Sequence, residues 1–562
     1  LEASAQTYTV TASSLLGGSG DDAIRGVRIL ADGTVVAVGS LAPGVPAGIS
    51  PVFVHGATEH SRGTALRLSS DGRRVLSVTR FGNDVWDVAS DARDNLYLAA
   101  GSDGLLVLDA SLRTLLWAAT PGHVHRVDVA PDGTAVALVP SNVSSADSTP
   151  GTGRIVVYAP DGTETSRFDG WRNTLDVAFD PASRTVIAIG WRQASAFDGS
   201  RSQPVQIAYL RGYTPTGAVR WTDYDWSTDR DAPDFINRPS NNMADTRGLR
   251  VAMGRDGKLY AAFECAGGNH IFRYAPRDIT RTVAIVGGDS YHTFSNTRSE
   301  HKTFFARYDP ADGAYLTGQQ FVGRLQNGAG NTVRVSEGAI AADEAGRVYL
   351  AGASAFGLPL TFHPPMTGSY TGGAYLVVMS PDLRTRLLVT RMDPGGHAHA
   401  LDARTFGNAA PSVALGGKST PGGAEFYRHE AVQATSGGGR DGFVTVIHGM
   451  GSPTAAPHDA GAADSAASPG DADVRDADAG ADAHDAPADV KALNHDDGPG
   501  DSDSLSRESA KHGCSCRARG APARDDAAHV FVALTVMYGL LHRRHHRLEG
   551  RALRTASPNR DV

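Results

Sequence analysis

Apolar positions along most of this chain come in short runs, broken at close intervals by Asp, Asn and Gly. One unit recurs: a short apolar strand, a turn rich in Asp and Gly, and a second apolar strand rich in Ala and Gly. The first copy is 27–30, Asp32-Gly33, then 35–39; the second is 85–89, Asp94-Asn95, then 96–101. The third is 126–130, Asp132-Gly133 and 135–139; the fourth is 175–179, a turn through Pro181 and Ser183, and 186–190. The fifth is 249–253, Asp256-Gly257 and 259–263; the sixth is 339–342, Ala345-Gly346 and 348–352. A fainter seventh occupies 400–403 and 413–416. Asp-Gly between two apolar runs predicts a hairpin, because tight turns need positive φ. The second strands are continuously apolar, as expected of strands covered on both faces.

A second hairpin follows most copies: 65–78 around Asp71-Gly72, 105–117, 155–167 around Asp161-Gly162, 207–221, 304–316 around Asp312-Gly313, and 374–388. Two hairpins make four antiparallel strands, and such a unit repeated around an axis is a propeller blade. The prediction is an all-β, seven-bladed β-propeller over 1–450. The seventh copy offers only 443–447 beyond its first hairpin, and an orphan strand, 7–16, precedes the first copy. Pairing these two closes the ring and removes exposed sheet edges. Uneven spacing predicts insertions, notably around 141–153, 222–244 and 278–302.

The run Leu16-Gly17-Gly18-Ser19-Gly20-Asp21-Asp22 ahead of the first hairpin resembles bacterial β-propeller repeats of the SBBP type. The other copies resemble the looser NHL-like pattern.

From Ser452 to about Ser504 the texture changes to Ala, Asp, Gly, Pro and Ser, with thirteen Asp against Arg475 and Lys491 and no aromatic residue. Such a stretch buries too little apolar surface to offset its ordering entropy. Residues 451–510 are therefore expected to form a disordered acidic linker. It carries most of the net charge of -8, and the nearly neutral body has no basic stripe, which argues against a nucleic-acid partner.

The region 511–562 holds Gly513-Cys514-Ser515-Cys516, an apolar run over 527–541, and a cluster with Arg543, Arg544 and Arg547. As a helix the run spans roughly 22 Å, short against a hydrocarbon core of about 30 Å. With Cys265 as the only other Cys, no second pair exists to complete a zinc site. Gly-Cys, apolar helix and Arg-rich stop, in that order, resemble the MYXO-CTERM sorting signals of myxobacteria. The resemblance implies export, processing at Gly513 or Cys514, and a place at the cell surface, at the outer membrane, or outside the cell. The arginines would remain on the cytoplasmic side of the membrane. The chain runs on for 548–562 beyond the basic cluster, longer than that pattern.

Loops leading into each blade's first strand are expected near the axis. They offer Asp21, Asp22 and Arg25; Asp84 and Trp86; His123, His125 and Arg126; Arg172 and Asn173; Asp245 and Arg247; Glu337; His397 and His399. Two of these are His-x-His pairs at the same repeat position. Residues two apart on a strand share a face, so each pair presents two imidazoles together, and imidazole is a common metal ligand. Joined across the ring, with Glu337 adding a carboxylate, they would form a divalent metal site. Metal-dependent lyases on seven-bladed propellers, such as streptogramin lyases, resemble this chain in the position of His and Glu only. No Gly-x-Ser-x-Gly, His-Glu-x-x-His or P-loop is present. Most of the tryptophans, which recur at blade positions, are expected to be packing residues, with exposed ones in 222–244 free to stack on sugar rings.

The sequence thus favours a monomeric surface or secreted binding module, without catalysis, for an extracellular protein or glycan. The alternative is an extracellular metal-dependent lyase or hydrolase built on the His pairs. No cofactor is expected apart from that alternative's metal.

Overall fold

The computed structural model of the chain describes residues 7–140, 152–197, 202–238, 245–266, 271–283, 301–326, 328, 330–361, 371–407 and 410–450. The chain divides into Leu1–Ser465 and Ala466–Val562, and every described residue belongs to the first unit. The acidic linker and the tail bearing Gly513, Cys514, Arg543, Arg544 and Arg547 lie outside the described residues.

Seven antiparallel sheets follow one another along the chain. Their innermost strands are Ala23–Ile29, Asp87–Ser90, Arg126–Val129, Thr174–Asp180, Thr246–Met253, Val333–Ala342 and His397–Arg404, in blades 1 to 7. Blade 7 is completed by Ser412–Lys418, Gly442–Met450 and, as its outermost strand, Thr7–Leu16, so the two ends of the propeller share one sheet. Blade 1 gains a fifth strand, Phe53–His55, parallel to the top of Val75–Phe81. No sequence signal marked that strand, because it lies in an insertion without alternation.

Each second strand pairs on both edges and is buried on both faces, which is why these strands read as unbroken apolar runs; Val35–Ser40, Leu96–Ala99 and Ala135–Val139 are buried throughout. The core is seven separate apolar layers, one between each pair of neighbouring blades. Leu106 and Val36 meet between blades 1 and 2, and Ala130 and Phe179 between blades 3 and 4. The layer joining blades 7 and 1 contains Ile24, Val27, Ala414 and Val446.

The turns explain the recurrent Asp. Asp32 Oδ1 accepts the Thr34 N–H at 2.9 Å and Asp132 Oδ1 that of Thr134 at 2.8 Å, while Gly33 and Gly133 supply φ of 83° and 95°. In blade 2, Asp94 takes the same backbone role with φ 60°.

The Gly-rich run before blade 1 is also structural. A Cβ on Gly17 would lie 2.0 Å from Asp441 Oδ1, and the buried Asp22 accepts the N–H groups of Gly18 at 2.7 Å and Ala42 at 2.6 Å. Two of the tryptophans pack over turn glycines: Trp117 covers Gly162, and Trp221 covers Gly313. Trp226, the only tryptophan of the 222–244 insertion, is fully buried against Tyr224 and Phe272 rather than exposed for sugar stacking.

Candidate functional site

The two faces of the ring differ. Counting antiparallel strands places the first-to-second connection of every blade, and the third-to-fourth connection of blades 1 to 6, on one face. These are the Asp-rich turns, and the longest runs over 405–411. The strand ends that flank every long connection lie on the opposite, loop face: 41–62, 140–151, 225–245, 267–300, 322–332, 356–371 and 419–441. The hairpin Thr185–Phe197 with Ser202–Tyr213 also extends there. Three exposed large apolar side chains, Val54, Phe197 and Phe356, belong to these extensions.

Both His pairs lie at the loop-face end of their inner strands, and each pair is gathered as its spacing predicts. The rings of His123 and His125 are 4.6 Å apart, and those of His397 and His399 are 6.2 Å apart. His125 stacks on Trp86 at 4.3 Å, and the Arg25 guanidinium lies 4.2 Å over the same ring. Neither ring nitrogen of the buried His125 has a hydrogen-bond partner among the described residues; Nδ1 of His123 contacts Ser102 Oγ at 3.0 Å. Glu337 is on the strand Val333–Ala342, with its side chain outside the described residues. Among the described residues, no group of three or more His, Cys, Asp or Glu is placed to hold a metal ion.

His125 has a measurable consequence. Burial, then His123, Arg126 and Arg25, push its pKa down to about 3 from an ordinary 6.5. Between those values the unfolded chain binds a proton that the folded one does not, so stability is lost as pH falls through that window. Asp87 and Asp128, pushed up to about 6 mainly by burial, act in the opposite sense. The His125 contribution is isolated by substitution. Between pH 7.5 and pH 5, the stability of His125→Phe relative to wild type should rise by about 2 kcal/mol. Denaturant titrations at the two pH values check this; a constant difference would show an ordinary imidazole.

The channel itself was less legible. It holds a cavity of about 580 Å³, lined by all seven inner strands and by several turns of the turn face. Of the predicted site residues, His399, Arg25 and Arg126 line it. An inner strand pairs on one edge only, leaving N–H groups of the other edge facing the axis. Aspartates of the preceding blade cap them. Asp87 Oδ2 accepts from Val127 at 3.2 Å, Asp128 Oδ2 from Phe179 at 2.8 Å, Asp176 Oδ2 from Val251 at 3.1 Å and Asp402 Oδ2 from Ile29 at 2.8 Å. These residues were missed as a set. Their one signal in the sequence was a charged residue inside an otherwise apolar strand, at matching positions of different copies.

The sheets and channel define the chain as a closed seven-bladed β-propeller. No family model matches it, and neither does any curated protein. Among solved structures it is similar to the quinohemoprotein alcohol dehydrogenase of Comamonas testosteroni, at 9% identity over 78% of this chain and 76% of that one, with a TM-score of 0.36. It is also similar to quinohemoprotein alcohol dehydrogenase ADHIIG of Pseudomonas putida HK5, at 11% identity over 79% and 78%, with a TM-score of 0.36. Likeness of this size carries no activity or cofactor to this chain.

Proposed function

We propose that the protein is a binding propeller displayed at the cell surface, engaging an extracellular partner through its loop face. The observation that carries this reading is the one-sided distribution of insertions: the turn face keeps minimal connections, while the loop face has accumulated length, as recognition surfaces on rigid scaffolds do. Exposed Val54, Phe197 and Phe356 favour a protein over a glycan, since apolar and aromatic side chains anchor protein interfaces. The acidic linker would hold the ring away from a tail that is sorted in the manner of MYXO-CTERM signals. The lyase or hydrolase alternative has no supporting ligand geometry among the described residues.

Full-length chain produced in myxobacterial cells tests both halves of the reading. Intact cells should expose the propeller to antibody and retain labelled cell-surface proteins saturably. Phe197→Asp with Phe356→Asp should weaken retention roughly tenfold or more. Leu76→Asp with Leu116→Asp, on outer strands beside the turn face, should leave it unchanged. Cys514→Ala should move the propeller into the medium or leave its precursor uncut. Equal loss from the turn-face pair would refute the loop-face assignment, and an inaccessible propeller would refute display.

A further inference from the structure

Three guanidinium groups meet at the turn-face end of the channel, remote from the loop face. Arg28 stands on the inner strand of blade 1, Arg404 ends that of blade 7, and Arg255 lies in the first turn of blade 5. Arg255 reaches past blade 6. Its Nε donates to the Ala403 carbonyl at 2.9 Å, and its Nη2 to Asp402 Oδ2 at 2.9 Å and the Ile29 carbonyl at 3.5 Å. Arg404 Nη1 donates to the same Ile29 carbonyl at 3.2 Å. Arg28 Nη1 lies 3.5 Å from Asp402 Oδ1, and its Nε donates to Ser90 Oγ at 3.0 Å. Arg28 and Arg255 thus share the buried Asp402, while Arg404 has no carboxylate in contact among the described residues; Glu344, 4.0 Å from Arg255 at the rim, is the second carboxylate of the cluster.

Each guanidinium has five N–H donors. Nη2 of Arg28, Nη1 of Arg255, and Nε and Nη2 of Arg404 donate to no group among the described residues. All three arginines line the 580 Å³ cavity. It stays open because the positions matching Arg28 on blades 2, 5 and 6 are Ala89, Ala252 and Ala341. Of the other carboxylates of the cavity, Asp128 also attracts Arg28, from beyond contact distance. Asp87, Asp91, Asp94, Asp128, Asp176 and Asp180 belong to blades 2 to 4, and each already accepts a backbone N–H. The cationic cluster thus sits at blades 7 and 1, while the carboxylates of blades 2 to 4 lie beside Arg126 and Arg250. Burial and the neighbouring Arg255 and Arg404 depress the Arg28 pKa against the pull of Asp402 and Asp128, a strain that an added anion would relieve.

We propose that Arg28, Arg255 and Arg404 form an anion-binding site, which takes the carboxylate or phosphate group of a small molecule whose body lies in the Ala-lined channel. Planar guanidinium forks match the oxygens of both groups. The site is independent of the loop-face reading, because no loop of that face contributes to it.

Purified full-length chain is titrated at pH 7.5 and low chloride with inorganic phosphate and, separately, with malonate, following heat and unfolding temperature. Saturable binding of at least one anion is expected, with an unfolding temperature that rises with its concentration. Preference for phosphate assigns phosphorylated ligands; preference for malonate assigns carboxylates. Arg404→Gln should weaken binding roughly tenfold or more. Ala341→Phe keeps all three arginines but fills the channel, and should abolish binding; it also covers any folding defect of the first variant. Absence of saturable binding by both anions, or binding that survives both substitutions, overturns the proposal.

Discussion

Removing residues 1–16 should destroy the cooperative unfolding of the ring. Thr7–Leu16 pairs along the whole of Gly442–Met450, from Thr7 opposite Met450 to Leu16 opposite Gly442. Its apolar side chains serve two layers at once: Tyr8, Val10 and Leu15 pack between blades 6 and 7, and Leu16 between blades 7 and 1. Ser13 adds polar ties, with Oγ donating to the Tyr427 carbonyl at 2.7 Å and lying 2.8 Å from Thr445 Oγ1. Without the strand, Gly442–Met450 becomes a long apolar edge, open to pairing with other chains. At about 1.5–3 kcal/mol for each large buried side chain, the apolar loss approaches the roughly 5–15 kcal/mol that holds a domain folded. Calorimetry of the truncated chain should show a broad transition at much lower temperature, with aggregation. A peptide of residues 1–16 added in trans should restore the sharp transition, since strand addition supplies the missing ladder. An unchanged transition after truncation would mean that the ring is held by its interblade layers alone.

Asp402→Ala should cost about 3–5 kcal/mol, the range for removing one partner of a buried ion pair. Burial alone would raise the Asp402 pKa, but Arg255 and Arg28 outweigh it and hold the carboxyl below its ordinary value. The substitution leaves Arg28 and Arg255 without their shared counter-ion and the Ile29 N–H without its acceptor. It also removes one of the ties by which Arg255 of blade 5 reaches blades 7 and 1, leaving those to the Ala403 and Ile29 carbonyls. Asp128→Ala is the matched control, because its carboxylate caps the Phe179 N–H at 2.8 Å and has no cation within salt-bridge distance among the described residues. A loss of about 1–3 kcal/mol is expected there, that of one unsatisfied buried group. Denaturant midpoints compare the two. Equal losses would show that Asp402 acts as a cap only, without a contribution from its arginines.

The sequence by itself determined the blade, because a blade is built from local events. Asp-Gly at a turn, the φ it allows and the apolar runs on either side are all set within a dozen or so residues. Seven copies and one orphan strand then left few ways to close the ring. The His pairs were legible to the same depth: spacing of two puts His123 beside His125 and His397 beside His399, and both pairs are found so. Beyond that range the sequence was silent. Asp32 and Asp128 are both aspartates of the repeated hairpin, yet one shapes its own turn and the other caps the next blade. Arg255 gave no sign that it would span from blade 5 to residues 29 and 402–403. Tertiary structure alone decided these roles, because an inner strand's open edge, the identity of its neighbour and the position of the axis exist only once the ring has closed.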